Sequence, residues 1–276
     1  MPPTRVPTEA DFTSLPPQLT TSLHFPNPPE STTSILILFH GLGDDHPAFQ
    51  SFAKNLQLPG VLGISVRGTS PLPPALLGLT EEEASGPPKH FHWGDDLTLD
   101  QRTGEIDTDP GFEKAAKAVL DGLIGEMLVG KCGWRLDDIL LLGYGQGGSL
   151  ALGLASRVRM GQGGSRVVEV KEGEQEMGTA FKGVVSVGGP LPMSMVPTIS
   201  ARAKAATPVL VCCGSQSQAV DEDAVETLNK EFASVKIERW KRPDDGMPRN
   251  RDEAVPLMEF FADRLSNPWG SEPSAV

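Results

Sequence analysis

The residues whose spacing most invites chemistry are Gly143-Tyr144-Gly145-Gln146-Gly147-Gly148, which follow the apolar run Asp138 to Leu142 and precede an alanine- and leucine-rich stretch. Two kinds of turn share this outline. A G-x-S-x-G turn between a strand and a helix lifts a nucleophilic side chain at its tip, with flanking glycines that let the backbone fold back tightly. A G-x-G-x-x-G turn lets the backbone approach a pyrophosphate resting on the helix N-terminus. The tip of the first pattern is Gly145 here, so the side chain that would react is absent. The second pattern is met by Gly143, Gly145 and Gly148, and Glu169 in the next extended segment, Arg166 to Val170, stands near the place of an acid that binds a ribose hydroxyl. That fingerprint usually opens the first strand–helix unit of its domain, whereas two apolar strands and two helices come first in this chain.

Other reactive side chains are scattered. His90 and His92 in KHFHWGDD share one face if the segment is extended, and Asp95 or Asp96 lies close by, but an HxH pair without a third spaced ligand is a weak metal signature. No metal or cofactor is expected. Ser149 falls on the helix after the glycine turn, Cys212 and Cys213 fall in an apolar strand as packing residues, and nothing near Cys132 would activate its thiol. The charged loop KRPDDGMPRNR offers Arg249 or Arg251 as a carboxylate binder, set against the commoner role of solvated surface.

The elements that must position these residues alternate in type. Leu19 to Phe25 reads as an edge strand, Ser34 to Phe39 and Val61 to Val66 as buried strands, and the segment between them as a helix with Phe49, Phe52, Ala53 and Leu56 on one face. Residues 68 to 109 form a long Pro-, Gly- and acid-rich excursion, expected to cover one end of the sheet. Gly111 to Val129 reads as a helix, Asp138 to Leu142 as a strand, and Ser149 to Val158 as a helix. Phe181 to Val187, Val209 to Cys213 and Val235 to Trp240 read as strands, with helices at Asp221 to Phe232 and Glu253 to Leu265. Strands that are apolar throughout, alternating with helices, predict an α/β fold: a mostly parallel sheet with helices on both faces. Residues 19–265 are expected to form one domain, with 1–18 a flexible N-terminal arm, 161–180 a solvated insertion, and 266–276 a C-terminal tail.

Bulk properties narrow the partners. The formal net charge is −12, with no long basic run, which argues against nucleic acid and anionic membranes. No apolar run reaches membrane-spanning length, and the first residues lack the apolar core of a signal peptide. Three cysteines, two of them adjacent, are no disulfide framework; they read as reduced thiols, with the cytoplasm as the expected location.

In chain order, SILILFHGLGDD, VLGISVRG, FHWGDD, LLGYGQGGSLAL, FKGVVSVGGPLP and PVLVCCGSQSQAV resemble the phospholipase/carboxylesterase family of α/β-hydrolases, best known for its acyl-protein thioesterases. The resemblance runs from about residue 34 to 265, with HGLGD and GYGQGG its specific parts. It implies that Leu42 and Gln146 lend oxyanion-hole amides, that His40 is a structural residue ahead of the loop holding Gly41, Leu42 and Gly43, and that an apolar acyl groove lies over the sheet with the loop near Trp93 as one wall. It also implies a nucleophile at Gly145, an acid at Ser217 and a histidine in the loop Asp245 to Arg251. None of the three is present, and His92 is the last histidine of the chain. A triad works as a unit, so the expectation is a pseudohydrolase that binds a small acyl or carboxylate ligand, or a protein partner. Two alternatives stay open: an active carboxylic-ester or thioester hydrolase with an unusual nucleophile, and a dinucleotide-binding protein acting through GYGQGG.

Overall fold

Long apolar strands are stable only where both faces of a sheet are covered, and this chain builds such a sheet. The computed structural model describes residues 3–78, 86–97, 107–159, 179–196 and 203–266. Most of the expected insertion, the segment Arg166 to Val170 with Glu169, and the tail from residue 267 lie outside the described residues.

In chain order the elements are α1 (Glu9–Phe12), β1 (Thr21–His24), β2 (Ser34–Phe39), α2 (His46–Leu56), β3 (Val61–Val66), β4 (Ser70–Pro71), β5 (Phe91–His92) and α3 (Glu113–Lys117). A π-helix (Ala118–Lys131) continues α3. Then come β6 (Ile139–Tyr144), α4 (Gln146–Arg157), β7 (Gly183–Val187), β8 (Val209–Gly214), α5 (Glu222–Glu231), β9 (Val235–Trp240) and α6 (Arg251–Ser266). Seven strands form one sheet in the order β1-β3-β2-β6-β7-β8-β9. β1 runs antiparallel to β3 at one edge, and the remaining pairs are parallel.

The period-2 alternation of side chains along each strand divides the core in two. Ile35, Ile37 and Phe39 of β2, Ile139 and Leu141 of β6, and Val209 and Val211 of β8 pack with α3, the π-helix and α4. Leu36, Leu38, Leu140, Leu142, Leu210 and Cys212 face the other way, onto α2 and α6. β9, at the far edge, carries Lys236, Glu238 and Arg239, charges that discourage pairing with another chain.

Two segments differ from the sequence expectation. The helix expected at Gly111 to Val129 starts as α-helix and continues as π-helix, with Val119, Leu123, Ile124, Met127, Leu128 and Val129 all buried. The N-terminal arm is held against the body rather than loose. Arg5 donates to both carboxylate oxygens of buried Asp11, at 2.7 and 2.8 Å, and Lys131 Nζ pairs with Asp11 at 3.0 Å. The Arg5 amide donates to the Cys132 carbonyl at 3.0 Å, and Trp134 Nε1–H donates to the Arg5 carbonyl at 2.8 Å. Composition alone suggested a flexible arm; contacts with Lys131, Cys132, Gly133 and Trp134 tie it down.

The ribbon β4–β5 lies within the long excursion. Its strand β5 pairs with the loop after β2: Gly43 N–H donates to the Phe91 carbonyl at 2.8 Å, and Phe91 N–H to the Asp44 carbonyl at 3.1 Å. The excursion thus fixes the HGLGD loop at the carboxyl end of the parallel strands, the end where open α/β sheets bind ligands.

Candidate functional site

The turn from β6 into α4 is built for backbone contact. A Cβ on Gly143 would lie 2.1 Å from the Gly147 carbonyl oxygen, and one on Gly147 would lie 2.4 Å from the carbonyl oxygens of Phe39 and His40. No side chain fits either place, so these glycines let strand and helix meet without an intervening loop. α4 accordingly begins at Gln146, three residues ahead of the sequence reading.

Gly145, at the tip, has φ 52° and ψ −120°. Its amide donates to the Val187 carbonyl at 2.8 Å, and its carbonyl accepts from Ser149 N–H at 3.0 Å. This is a backbone conformation that costs an L-residue about 1–3 kcal/mol and glycine little. A Cβ here would meet nothing within 4 Å. The position therefore has the raised, open character that a nucleophile needs, with no side chain on it. Ser149 is 2% exposed on α4 and cannot stand in. A Cβ on Gly148 would lie 2.4 Å from Ser186 Oγ, so turn packing accounts for Gly143 and Gly148 of the G-x-G-x-x-G pattern, and the positive φ for Gly145.

The HGLGD loop is locked from several sides. His40 is fully buried, accepts from the Gly68 amide on Nε2 at 2.7 Å and donates from Nδ1 to the Gly41 carbonyl at 2.7 Å. A backbone amide can only donate, which fixes the tautomer, and burial pushes the imidazole below its ordinary range and keeps it neutral. His90 Nδ1–H donates to the Gly43 carbonyl at 2.7 Å. Gly41 lies against the Tyr144 ring, where a Cβ would come within 2.8 Å. Leu42 is left projecting, 38% exposed. Among the described residues, neither the Leu42 amide nor the Gln146 amide at the start of α4 has a hydrogen-bond partner.

Trp93 does not wall a groove with its ring. The ring is wholly buried, 5.4 Å from Phe39 edge-on and 5.1 Å from His40, and its Nε1–H donates to the His40 carbonyl at 2.8 Å. Its backbone reaches the site: Trp93 N–H donates to Gln146 Oε1 at 2.8 Å, joining the start of α4 to the excursion. Beyond it, Asp95 accepts from the Glu113 and Lys114 amides at 2.7 and 2.8 Å and so caps α3. No group of three His, Cys, Asp or Glu suited to a metal occurs among the described residues.

Ser217, in the acid's place, donates its hydroxyl to Asp245 Oδ2 at 2.8 Å and accepts from the Val220 amide at 3.0 Å. Asp245 Oδ1 accepts from the Gly214 amide at 2.8 Å. The Asp245 side chain packs on Gly188, where a Cβ would lie 2.8 Å from Asp245 Cβ, and the neighbouring Val187 carbonyl is the one that holds Gly145. A serine–aspartate pair thus bridges the ends of β8 and β9 beside the elbow. Sequence reasoning missed Asp245 as a site residue, because no motif fixes how its loop folds back.

A hydroxyl and a carboxylate supply no imidazole to relay a proton. Arg249 is 64% exposed and pairs with Asp244 at 2.8 Å, and Arg251 is exposed at the start of α6, so neither is engaged with Asp245. Arg242 pairs with Asp244 at 2.9 Å and Glu253 at 3.3 Å. The three thiols are buried, which raises their pKa and keeps them unreactive. Leu42, Leu76 and Met193 are apolar side chains 38%, 38% and 61% exposed, in the segments that follow β2, β4 and β7.

This sheet order, with a strand-to-helix elbow opposite an amide-bearing loop, is the architecture of the α/β-hydrolases. The chain belongs to the phospholipase/carboxylesterase family, whose model matches residues 24–251. It is 32% identical over 166 residues to an uncharacterized hydrolase of Schizosaccharomyces pombe, a match covering 59% of this chain and 55% of that protein. An uncharacterized hydrolase of Mycosarcoma maydis is 34% identical over 133 residues, 47% of this chain and 44% of that one. The chain therefore matches only about half the length of these relatives. Among solved structures, acyl-protein thioesterase 2 of Zea mays aligns with a TM-score of 0.59 at 19% identity, covering 89% of this chain and 99% of that one. The carboxylesterase of Bacillus cereus aligns at 0.59 with 16% identity, covering 93% and 100%. At such identity the likeness shows the fold.

Proposed function

We propose that this protein binds acyl compounds at the elbow without hydrolysing them. The observation that carries the reading is Gly145: an open elbow tip at φ 52° with no side chain, in a turn whose Gln146 amide, like the Leu42 amide of the HGLGD loop, has no partner among the described residues. Those amides suit a carbonyl oxygen. The apolar side chains of Leu42, Leu76 and Met193 suit an acyl chain passing over the carboxyl end of the sheet. Ser217 and Asp245 supply no imidazole in the place of the triad's histidine, so a nucleophile from elsewhere would lack the activation that a triad gives.

The test pairs turnover with binding. Purified protein, assayed on short and long acyl esters and thioesters, is expected to show no turnover, while a non-hydrolysable alkyl amide binds measurably by calorimetry. Turnover that copurifies with the protein, or labelling by a fluorophosphonate, would overturn the reading in favour of a hydrolase with an unusual nucleophile.

A further inference from the structure

Among the described residues, Asp245 is a carboxylate with neutral hydrogen-bond partners only. Gly214 N–H and the Ser217 hydroxyl each satisfy one of its oxygens, and an ionised carboxylate has about four acceptor sites. It forms no ion pair among the described residues, although its loop is rich in arginine: Arg242 and Arg249 are drawn to Asp244 and Glu253 instead. It is part-buried rather than sealed in the core. It lies beside Gly188, next to the residue whose carbonyl holds the elbow, and the space over the elbow is open. The loop after β2 and the start of α4 thus offer unpartnered amides, and the loop after β9 offers, next to the residue that holds the elbow, a carboxylate in no ion pair among the described residues.

We infer that the preferred ligand is an acyl compound that also carries an ammonium group, its carbonyl oxygen on the Leu42 and Gln146 amides and its ammonium on the Asp245 carboxylate. This rests on the acyl-binding reading and adds the polarity of the ligand. A free carboxylate at the same place would meet Asp245 as a like charge, in a chain whose net charge is already −12. An ammonium group gains Coulomb attraction there, and does so with less screening than at the open surface.

The test uses three octanamides that share one acyl chain and one amide carbonyl, with the nitrogen bearing an aminoethyl, a propyl or a carboxymethyl group. Each is titrated calorimetrically into the full-length protein and into Asp245→Asn, at low and high salt. On the wild type the aminoethyl compound is expected to bind about tenfold tighter than the propyl compound and the carboxymethyl compound to bind most weakly, with the gap narrowing as salt rises. Asp245→Asn keeps the shape and the Gly214 bond while removing the charge, and is expected to bring the aminoethyl and propyl compounds to within about twofold of each other. Equal binding of those two by the wild type overturns the ammonium assignment alone, with no need of the variant. Absence of binding by all three overturns it together with the acyl-binding reading.

Discussion

At the scale of single residues, Gly145 and His40 make separable predictions. Gly145→Ser places a side chain in open space but at φ 52°. It is expected to fold, to lose about 1–2 kcal/mol in a denaturant titration, and to remain unlabelled by a fluorophosphonate, because Ser217 and Asp245 supply no imidazole to take the serine proton. Labelling as fast as that of an active serine hydrolase would show that a base is present after all. His40 is buried neutral, so its folded pKa lies below the unfolded value of about 6.5. As pH falls through that value the unfolded chain takes up the proton first, so stability present at neutral pH is lost on acidification. The denaturation midpoint is expected to drop between about pH 6.5 and 5, and the drop to be shallower in His40→Gln. Much of this was legible in the sequence, since GYGQGG and HGLGD announce a turn and a loop by residue type. The tautomer of His40 and the reach of Asp245 were not, because each depends on a partner brought up by a distant segment.

At the scale of elements, the elbow depends on β6 meeting α4 without a loop. Gly147→Ala drives a methyl group into the carbonyls of Phe39 and His40. Neither can retreat without breaking the β2 end, so a loss of about 3 kcal/mol or more is expected in chemical denaturation. Asp95→Ala uncaps α3 by removing acceptors for the Glu113 and Lys114 amides; the expected loss is about 1 kcal/mol, with faster hydrogen exchange confined to the first turn. The central strands β2, β3, β6, β7 and β8 were readable from their runs of β-branched and aliphatic residues, since a buried parallel strand is apolar on both faces, while the edge strands β1 and β9 showed only as weaker alternation. The start of α4 was misplaced by three residues because glycines normally argue against helix; here backbone approach overrides propensity. The π-helical continuation of α3 left no mark in the sequence, whose apolar spacing suits an ordinary helix.

At the scale of the whole molecule, the N-terminal arm joins the body through Asp11. Arg5 holds this buried carboxyl well below the usual range, with Lys131 and Thr8 assisting. Asp11→Ala is expected to lower stability by about 2 kcal/mol at neutral pH and to expose the amides of residues 4–15 to hydrogen exchange. The deficit should shrink as pH falls below about 3.8, where the unfolded chain protonates its own Asp11 and the native advantage is lost.

The bridge from Asp245 to Gly214 and Ser217 also bears on descent. Three turns, following β6, β8 and β9, would each have to change for a Ser-His-Asp triad to form, and each change alone is a step downhill. A serine at position 145 takes on backbone strain. An aspartate at 217 would face Asp245 across a contact now 2.8 Å long, and a change at 245 alone would strip the Gly214 amide of its acceptor. Substitutions arrive one at a time, so on the binding reading proposed above the bridge itself opposes the assembly of a triad, each single step toward one losing stability first.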